Sequence, residues 1–121
     1  MKKAFFIGAV FLLMFVREAY AQTPVIPTYS GNDLLRDCTD DKTVTQKSFC
    51  LGFIMGIWDA AVVEEGVFHP SKPKFVIPEA ANLGQLKDVV VKYLNEHPAN
   101  RHLNAGVLVV IALKEAFPPQ P

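Results

Sequence analysis

The chain has 121 residues, of which half are hydrophobic, and its 12 basic residues balance 12 acidic ones. A chain of this length is expected to form one domain. The charge argues against a protein that binds nucleic acid, because such binding requires clustered positive charge.

The first 21 residues predict a cleaved signal peptide. Lys2 and Lys3 precede an apolar run over residues 4–16, and Ala19 and Ala21 supply the small side chains of a cleavage site. The run is shorter than the ~20 residues that span a bilayer, so we expect export without stable membrane insertion. The alternative is an uncleaved N-terminal anchor. Cleavage would leave 9 basic and 11 acidic residues in the mature chain.

The mature chain is expected to begin with a flexible lead-in, residues 22–29, followed by one helical domain over residues 30–121. Ser30 with Asp33 has the spacing of an N-terminal capping box. This pair predicts a short first helix over residues 31–37.

Two cysteines, Cys38 and Cys50, lie in the part expected to be exported. An even number of cysteines in an oxidising compartment predicts a disulfide. The alternative, a redox-active pair, usually has Cys-x-x-Cys spacing and a tuned thiolate.

A longer helix is predicted over residues 45–65, where apolar residues recur at spacings of three and four. Gly52, Gly56 and Ala60 lie four residues apart on it. Because glycine within a helix costs up to ~1 kcal/mol relative to alanine, this pattern requires an explanation. The simpler one is the close approach of a neighbouring helix in the same chain. The alternative is contact with a second copy in a dimer.

Residues 66–75 are predicted to be irregular, because Pro70 and Pro73 prevent regular hydrogen bonding there. Such a segment lies at the surface. It is a candidate for partner binding, and a plain connection is the alternative.

A third helix is predicted to begin after Asn82, which forms a second capping box with Gln85, and to end at Glu96. Pro98 stops it. The apolar residues of this stretch mark one helical face, which predicts an amphipathic helix packed on the core.

The last helix is predicted to be capped by Asn100 and to end near Ala116. Its residues 107–111 have strand propensity, but the flanking residues favour a helix. A helix that is apolar on nearly all sides is expected to be the central, buried one.

No catalytic set is apparent. His97 and His102 are five residues apart and lack a third metal ligand in the sequence, and His97 is more simply the residue that ends its helix. Nucleophile elbows, phosphate loops and dinucleotide glycine patterns are absent from the sequence. We therefore expect neither an enzyme nor a cofactor or metal.

The ordered motifs of the chain resemble the Rap1a/Tai family, over nearly the whole mature sequence. They comprise Leu34-Leu35 with Cys38, Cys50 to Gly56, Phe75 to Pro78, Leu83 to Leu86, Val89-Val90 with Tyr93-Leu94, His97-Pro98 with Arg101-His102, Ala112-Leu113 and Ala116 to Pro118. The resemblance implies a small exported helical protein. Characterised relatives are periplasmic immunity proteins that act as dimers and obstruct the active-site groove of peptidoglycan amidases delivered by type VI secretion.

The chain departs from the family pattern at two places. Relatives commonly have Phe-Cys-x-Pro where this chain has residues 75–78, and Phe-Pro-Cys where it has residues 117–119. The two absent cysteines look like the two halves of a second disulfide. Their joint loss supports this pairing, because a single unpaired thiol in an oxidising compartment is a liability. Their joint absence puts the stability of the 75–78 junction in doubt, but not the fold.

We therefore expect an all-α, small four-helix bundle-like domain with one disulfide, which acts as a periplasmic inhibitor of a cell-wall amidase and forms a homodimer. The alternative function is a small periplasmic chaperone or envelope stress protein. The expected partner contacts lie in the proline-containing loop and on the next helix, at Val67, Phe68, His69, Lys72, Lys74, Gln85 and Asp88.

Overall fold

A computed structural model describes residues 28–40, 43–69 and 74–119. These residues contain four α-helices, which are α1 (Gly31–Thr39), α2 (Val44–Phe68), α3 (Leu83–Glu96) and α4 (Ala105–Ala116). A 3-10 turn, Pro98–Asn100, separates α3 from α4. Within these ranges the strand-like pairing is limited to one bridge between Ser30 and Asn104. The predicted all-α fold is confirmed.

Both predicted capping boxes form. The Ser30 hydroxyl accepts from the Asp33 backbone N–H at 3.3 Å, and the Asp33 carboxylate accepts from the Ser30 N–H at 3.1 Å. The Asn82 side chain accepts from the Gln85 N–H at 3.0 Å, and the Gln85 side chain accepts from the Asn82 N–H at 2.9 Å. These bonds satisfy donors that have no partner within the helix, so the starts of α1 and α3 are set locally.

The predicted disulfide also forms, between Cys38 at the end of α1 and Cys50 in α2. Both half-cystines are buried in the core. Closing a loop of this length stabilises the fold by ~3 kcal/mol in the chain-entropy model. Beside the bridge, the Tyr29 hydroxyl donates to the Asp37 carboxylate at 2.6 Å, and burial with this hydrogen bond raises the pKa of Tyr29.

The start of α1 is held by the connection between α3 and α4. The Gly31 N–H donates to the Leu103 carbonyl at 3.0 Å, and the Asn32 N–H donates to the Arg101 carbonyl at 2.9 Å. A Cβ at Gly31 would lie 2.4 Å from Leu108 Cδ1 and 3.0 Å from the Arg101 carbonyl oxygen. A glycine is therefore required at this contact.

Arg101 fixes the same connection to α3. Its Nε donates to the Leu94 carbonyl at 2.6 Å, and its Nη2 donates to the Asn95 carbonyl at 3.3 Å. These carbonyls belong to the last turn of α3, where no intrahelical donor is available. Arg101 thus links α3, through its side chain, to α1, through its backbone carbonyl.

The prediction that Asn100 caps the last helix is wrong. Asn100 ends the 3-10 turn, and the N-cap of α4 is Asn104, whose side chain accepts from the Val107 N–H at 3.2 Å. The carbonyls of Arg101 and Leu103, which lie between these two asparagines, accept hydrogen bonds from α1. They are therefore not available to a helix that begins at Asn100, and α4 begins after them. Residues 107–111 are helical, as predicted.

α4 packs against all three other helices and buries five residues, Ala105, Leu108, Val109, Ala112 and Leu113. The expectation of a central helix is thus correct for one face. The opposite face is open, and Val107 is 53 % exposed.

α2 is longer than predicted and less buried. It continues to Phe68, so Gly66, Val67 and Phe68 are helical and not part of an irregular segment. The His69 N–H donates to the Glu65 carbonyl at 3.1 Å, and this hydrogen bond closes the last turn of α2.

The explanation of the small-residue pattern by a neighbouring helix is wrong for the described residues. A Cβ at Gly52 or Gly56 would meet nothing within 4 Å, and Ala60 is exposed as well. The pattern therefore lies on the open side of α2. Within the described ranges, no helix has the length and apolarity needed to cross a bilayer.

Candidate partner-binding surface

The C-terminal end of α2 exposes two large apolar side chains. Val67 is 66 % exposed and Phe68 is 69 % exposed, and the exposed His69 is the C-cap. Because helical hydrogen bonds hold the backbone here, the positions of Val67 and Phe68 are fixed by the last turn of α2. Apolar side chains exposed together in this way are typical of contact sites.

The chain returns to the domain through contacts of Lys74 with the last turns of α2. Its ammonium group donates to the Glu64 carboxylate, and its backbone N–H donates to the Glu65 carboxylate. Lys74 holds the pKa of Glu64 below its ordinary value. Lys72, which was also predicted to bind a partner, lies outside the described residues. These two contacts hold residue 74 against the last turns of α2.

An open groove of about 410 Å³ lies between α2 and α4. Apolar residues form most of its lining, and Glu64 and Lys74 pair with each other within it. The apolar lining consists of Ile57, Ala60, Ala61, Gly106, Val107, Val110 and Ile111. Its chemistry suits aliphatic or aromatic side chains of a protein, because the charged groups are already paired.

A second open groove, of about 450 Å³, lies where α3 begins. Gln85 and Asp88 contribute its polar lining, and Pro78 and Phe117 are among its apolar residues. The Gln85 side-chain oxygen is used in the helix cap. The Asp88 side chain is 76 % exposed and lies 3.5 Å from the Lys87 ammonium group.

The predicted contact residues fall in three places. Lys74 lines the first groove, Gln85 and Asp88 line the second, and Val67 to His69 line neither. Residues 74–78 connect the two grooves: within this segment Phe75 is buried, and the Val76 N–H donates to the Phe117 carbonyl at 3.0 Å.

The outer face of α2 was not among the predicted contact residues. It carries Phe49, Met55, Val62 and Val63, each 45 to 59 % exposed. α2 buries Cys50, Ile54 and Ala61, and Phe53, Ile57 and Trp58 pack partly buried against the core. The signal in the sequence was the further apolar residues of α2, which lie outside this cluster.

The histidines of the α3–α4 connection serve the backbone. His97 Nδ1 lies 2.9 Å from the Tyr93 carbonyl oxygen, and its ring stacks on Tyr93 with centroids 4.1 Å apart. His102 Nδ1 lies 2.9 Å from the Ala99 carbonyl oxygen. In the part of the chain that the structure describes, no group of three metal-binding side chains occurs. The exposed surfaces suit protein binding.

Comparison with known proteins agrees with this description. No curated protein and no solved structure matches the chain. A model of the Rap1a immunity protein family matches residues 30–119, which include α1 to α4 and both half-cystines. This match covers most of the sequence, and the chain belongs to the Rap1a immunity protein family.

Proposed function

We propose that this protein is a periplasmic immunity protein that binds and inhibits a peptidoglycan amidase delivered by a type VI secretion system. The family match supports an immunity role against an effector protein. The amidase target comes from the motif resemblance. The periplasmic location is supported by the disulfide and by the signal-like residues 1–21.

The observation that carries this proposal is the family match over residues 30–119. Inhibition by obstruction requires a firm element that enters the groove of the enzyme. The end of α2 meets this requirement, because Val67 and Phe68 are exposed on a helical turn whose return segment is bonded at Lys74. Large aromatic side chains are frequent hot spots of protein interfaces. We infer that the protein acts by occlusion and not by catalysis.

The remaining contacts in the proposal are His69, Lys72, Lys74, Gln85 and Asp88. Charged residues at the rim of an interface chiefly affect the association rate and its salt dependence. We assign this role to Lys72 and Asp88. Lys74 has a different role, because its pairing with Glu64 positions the return segment.

The proposal includes a homodimer, as the resemblance implies. A dimer presents two copies of the α2 end and so offers two sites to an effector.

The decisive experiment is inhibition of amidases encoded beside this protein, measured on purified components and by survival of cells that receive the amidase in the periplasm. We expect the exported protein to co-purify with one of them and to block its hydrolysis of peptidoglycan. Failure to protect against every such amidase would contradict the proposed function.

A matched pair of variants tests the contact site. Phe68→Gln should weaken inhibition by at least about tenfold, or ~1.4 kcal/mol, while helix content and thermal stability stay unchanged. The control is Val44→Gln, which places the same polar side chain on an 84 % exposed residue at the other end of α2. Equal inhibition by the two variants would show that the end of α2 is not the contact site.

A further inference from the structure

The groove between α2 and α4 has a size that suits a short stretch of chain. Its volume is about 410 Å³, and its lining is mostly apolar. Pockets of ~300–1,000 Å³ hold small ligands, whereas a stable interface with a folded partner buries ~800 Å² on each side. The groove is therefore matched to a few residues and not to a second domain.

The chain enters the domain between the two helices that form this groove. The Tyr29 carbonyl accepts from the Ala105 N–H at 2.9 Å, at the start of α4. The Tyr29 ring packs on α2, with its centroid 5.4 Å from that of Phe49 and 5.1 Å from that of Phe53. The residues that precede Tyr29 therefore start from a point that contacts both α2 and α4.

The pairing of Ser30 with Asn104 sets the direction in which the preceding residues run. The bridge between these two residues is antiparallel. Followed backwards from Ser30, the chain therefore runs in the direction in which the residue numbers of α4 increase. Gly106 comes next in that direction, and a Cβ built on it would lie 3.1 Å from Ile57 Cδ1 on α2. Gly106 and Ile57 both line the groove, so the chain is directed into it.

The length of the groove matches four residues of extended chain. On α2 its lining extends from Ile57 to Glu64, which is a distance of ~10 Å along the helix. Residues 24–27 read Pro-Val-Ile-Pro, and they span ~12 Å in the extended form typical of proline-containing segments. One residue, Thr28, separates them from Tyr29. Residues 24–27 can therefore reach along the groove without a long connection.

The chemistry of residues 24–27 fits the same groove. None of the four is charged, and the two charged groups of the lining pair with each other. Val25 and Ile26 supply aliphatic side chains, which an apolar lining suits. The two prolines lack a backbone N–H, so the segment has fewer donors that need partners against helices whose carbonyls are already bonded.

We propose that residues 24–27 lie in the groove between α2 and α4 as an internal strap that covers its apolar lining. These residues lie outside the ranges that the structure describes, and the position and direction of the chain at Tyr29 support their placement. This contact is additional to the proposed function and requires neither the amidase nor the homodimer. A partner that uses the groove must first displace the strap.

Thiol labelling of the exported full-length protein tests the strap. The probe is Val107→Cys, at a position that lines the groove and is 53 % exposed in the described structure. The matched control is Val62→Cys, at a position that is 52 % exposed and is not part of the lining. The native cysteines are joined to each other, so each variant carries one reactive thiol. Labelling by a charged maleimide is timed with the native strap and with Val25→Ser and Ile26→Ser combined.

The two serine substitutions should raise the labelling rate of Val107→Cys by at least about tenfold, because labelling then no longer waits for the strap to open. The labelling rate of Val62→Cys should stay unchanged. The effect should be the same at all protein concentrations, because the strap belongs to the chain that it covers.

The other possible occupants of the groove give different results. If Val107→Cys reacts at the same rate with and without the serine substitutions, the strap is overturned. Fast labelling in both cases leaves the groove open to a partner protein. Slow labelling in both cases, with protection that grows with protein concentration, assigns the groove to a second copy of the chain.

Cross-linking tests the contact without the serine variant. After the native disulfide has formed, Ile26→Cys together with Val107→Cys should close a second bridge within one chain, at a rate independent of protein concentration. Ile26→Cys with Val62→Cys is the control and should not form this bridge. Equal rates in the two pairs would contradict the strap, because the segment would then reach both sides of α2. Neither measurement involves an amidase, so failure of the strap and failure of the immunity role are distinguishable.

Discussion

At the scale of single residues, Gly31 is the most restricted of the glycines in the described ranges. Its missing side chain lets α1 lie against Leu108 and the Arg101 carbonyl, and its N–H donates to Leu103. The contact requires a small residue because backbone atoms, which cannot rotate away, form part of it.

Gly31→Ala should therefore lower the free energy of unfolding by about 2 kcal/mol, the usual cost of overpacking. The matched control is Gly66→Ala on α2, where open space surrounds the Cβ and the better helix propensity should raise the free energy of unfolding by up to ~1 kcal/mol. Urea unfolding of both variants at one low protein concentration checks the difference. The same sign in both would contradict the packing argument.

Asp33 provides a residue-scale prediction for pH. The hydrogen bonds from Ser30 hold the pKa of the Asp33 carboxyl below its ordinary value of 3.8. A carboxyl whose pKa is lowered in the folded state stabilises the protein at pH values above its ordinary pKa. This contribution is lost as the pH falls through the lowered pKa of the folded state.

Asp33→Asn should consequently flatten the pH dependence of the melting temperature below about pH 4. The pH dependence should become flatter because asparagine still accepts a hydrogen bond but does not titrate. Glu115→Gln, an exposed carboxyl on α4, is the control for loss of one negative charge. A curve for Asp33→Asn that is parallel to the native one would show that the capping carboxyl is not the titrating group.

At the scale of elements, the junction between residues 75–78 and the end of α4 lacks the covalent bond that the family pattern implies. One backbone hydrogen bond, from the Val76 N–H to the Phe117 carbonyl, joins the two segments. Buried Phe75 anchors the first of them. The two positions at which relatives carry cysteine, Val76 and Pro119, are therefore on adjacent segments.

The double variant Val76→Cys with Pro119→Cys should form a second disulfide. Closing a loop of about 43 residues raises the free energy of unfolding by ~4 kcal/mol in the chain-entropy model. Urea unfolding of the oxidised variant against each single variant measures the gain. Free thiols at both substituted positions after oxidation would show that the segments do not approach closely enough.

The features that were predicted correctly depend on residues that are close to one another in the sequence. The caps at Ser30 and Asn82 depend on side chains three residues away, and both predictions were correct. The start of α4 could not be found in this way, because Asn104 is selected over Asn100 by carbonyls that bond to α1. The continuation of α2 past Gly66 was likewise missed, since Pro70 and Pro73 suggested an earlier end.

The two grooves could not be predicted from the sequence, for a related reason. The first groove combines α2 with α4, and the second combines residues near Pro78 with Phe117. No spacing rule connects such distant positions. The exposed face of α2 was not predicted either, because the pattern of Gly52 and Gly56 was first explained by a neighbouring helix, and only the structure shows open space at both positions.

At the scale of the whole molecule, the proposed dimer couples stability to concentration. A protein that associates only when folded becomes more stable as its concentration rises. The native melting temperature should therefore increase with protein concentration. Scanning calorimetry over a hundredfold concentration range measures this increase. An unchanging native melting temperature would indicate a monomer.

The disulfide has a consequence for how the chain matures. Four cysteines can pair in three ways, so a relative with two bridges must avoid or repair wrong pairings. This chain has two cysteines, and they can pair in one way within a single molecule. They are 12 residues apart, so under the proposed export from the N-terminus both cysteines would reach the oxidising side before α3 and α4. Oxidative folding of one molecule would then require an oxidant but no isomerase.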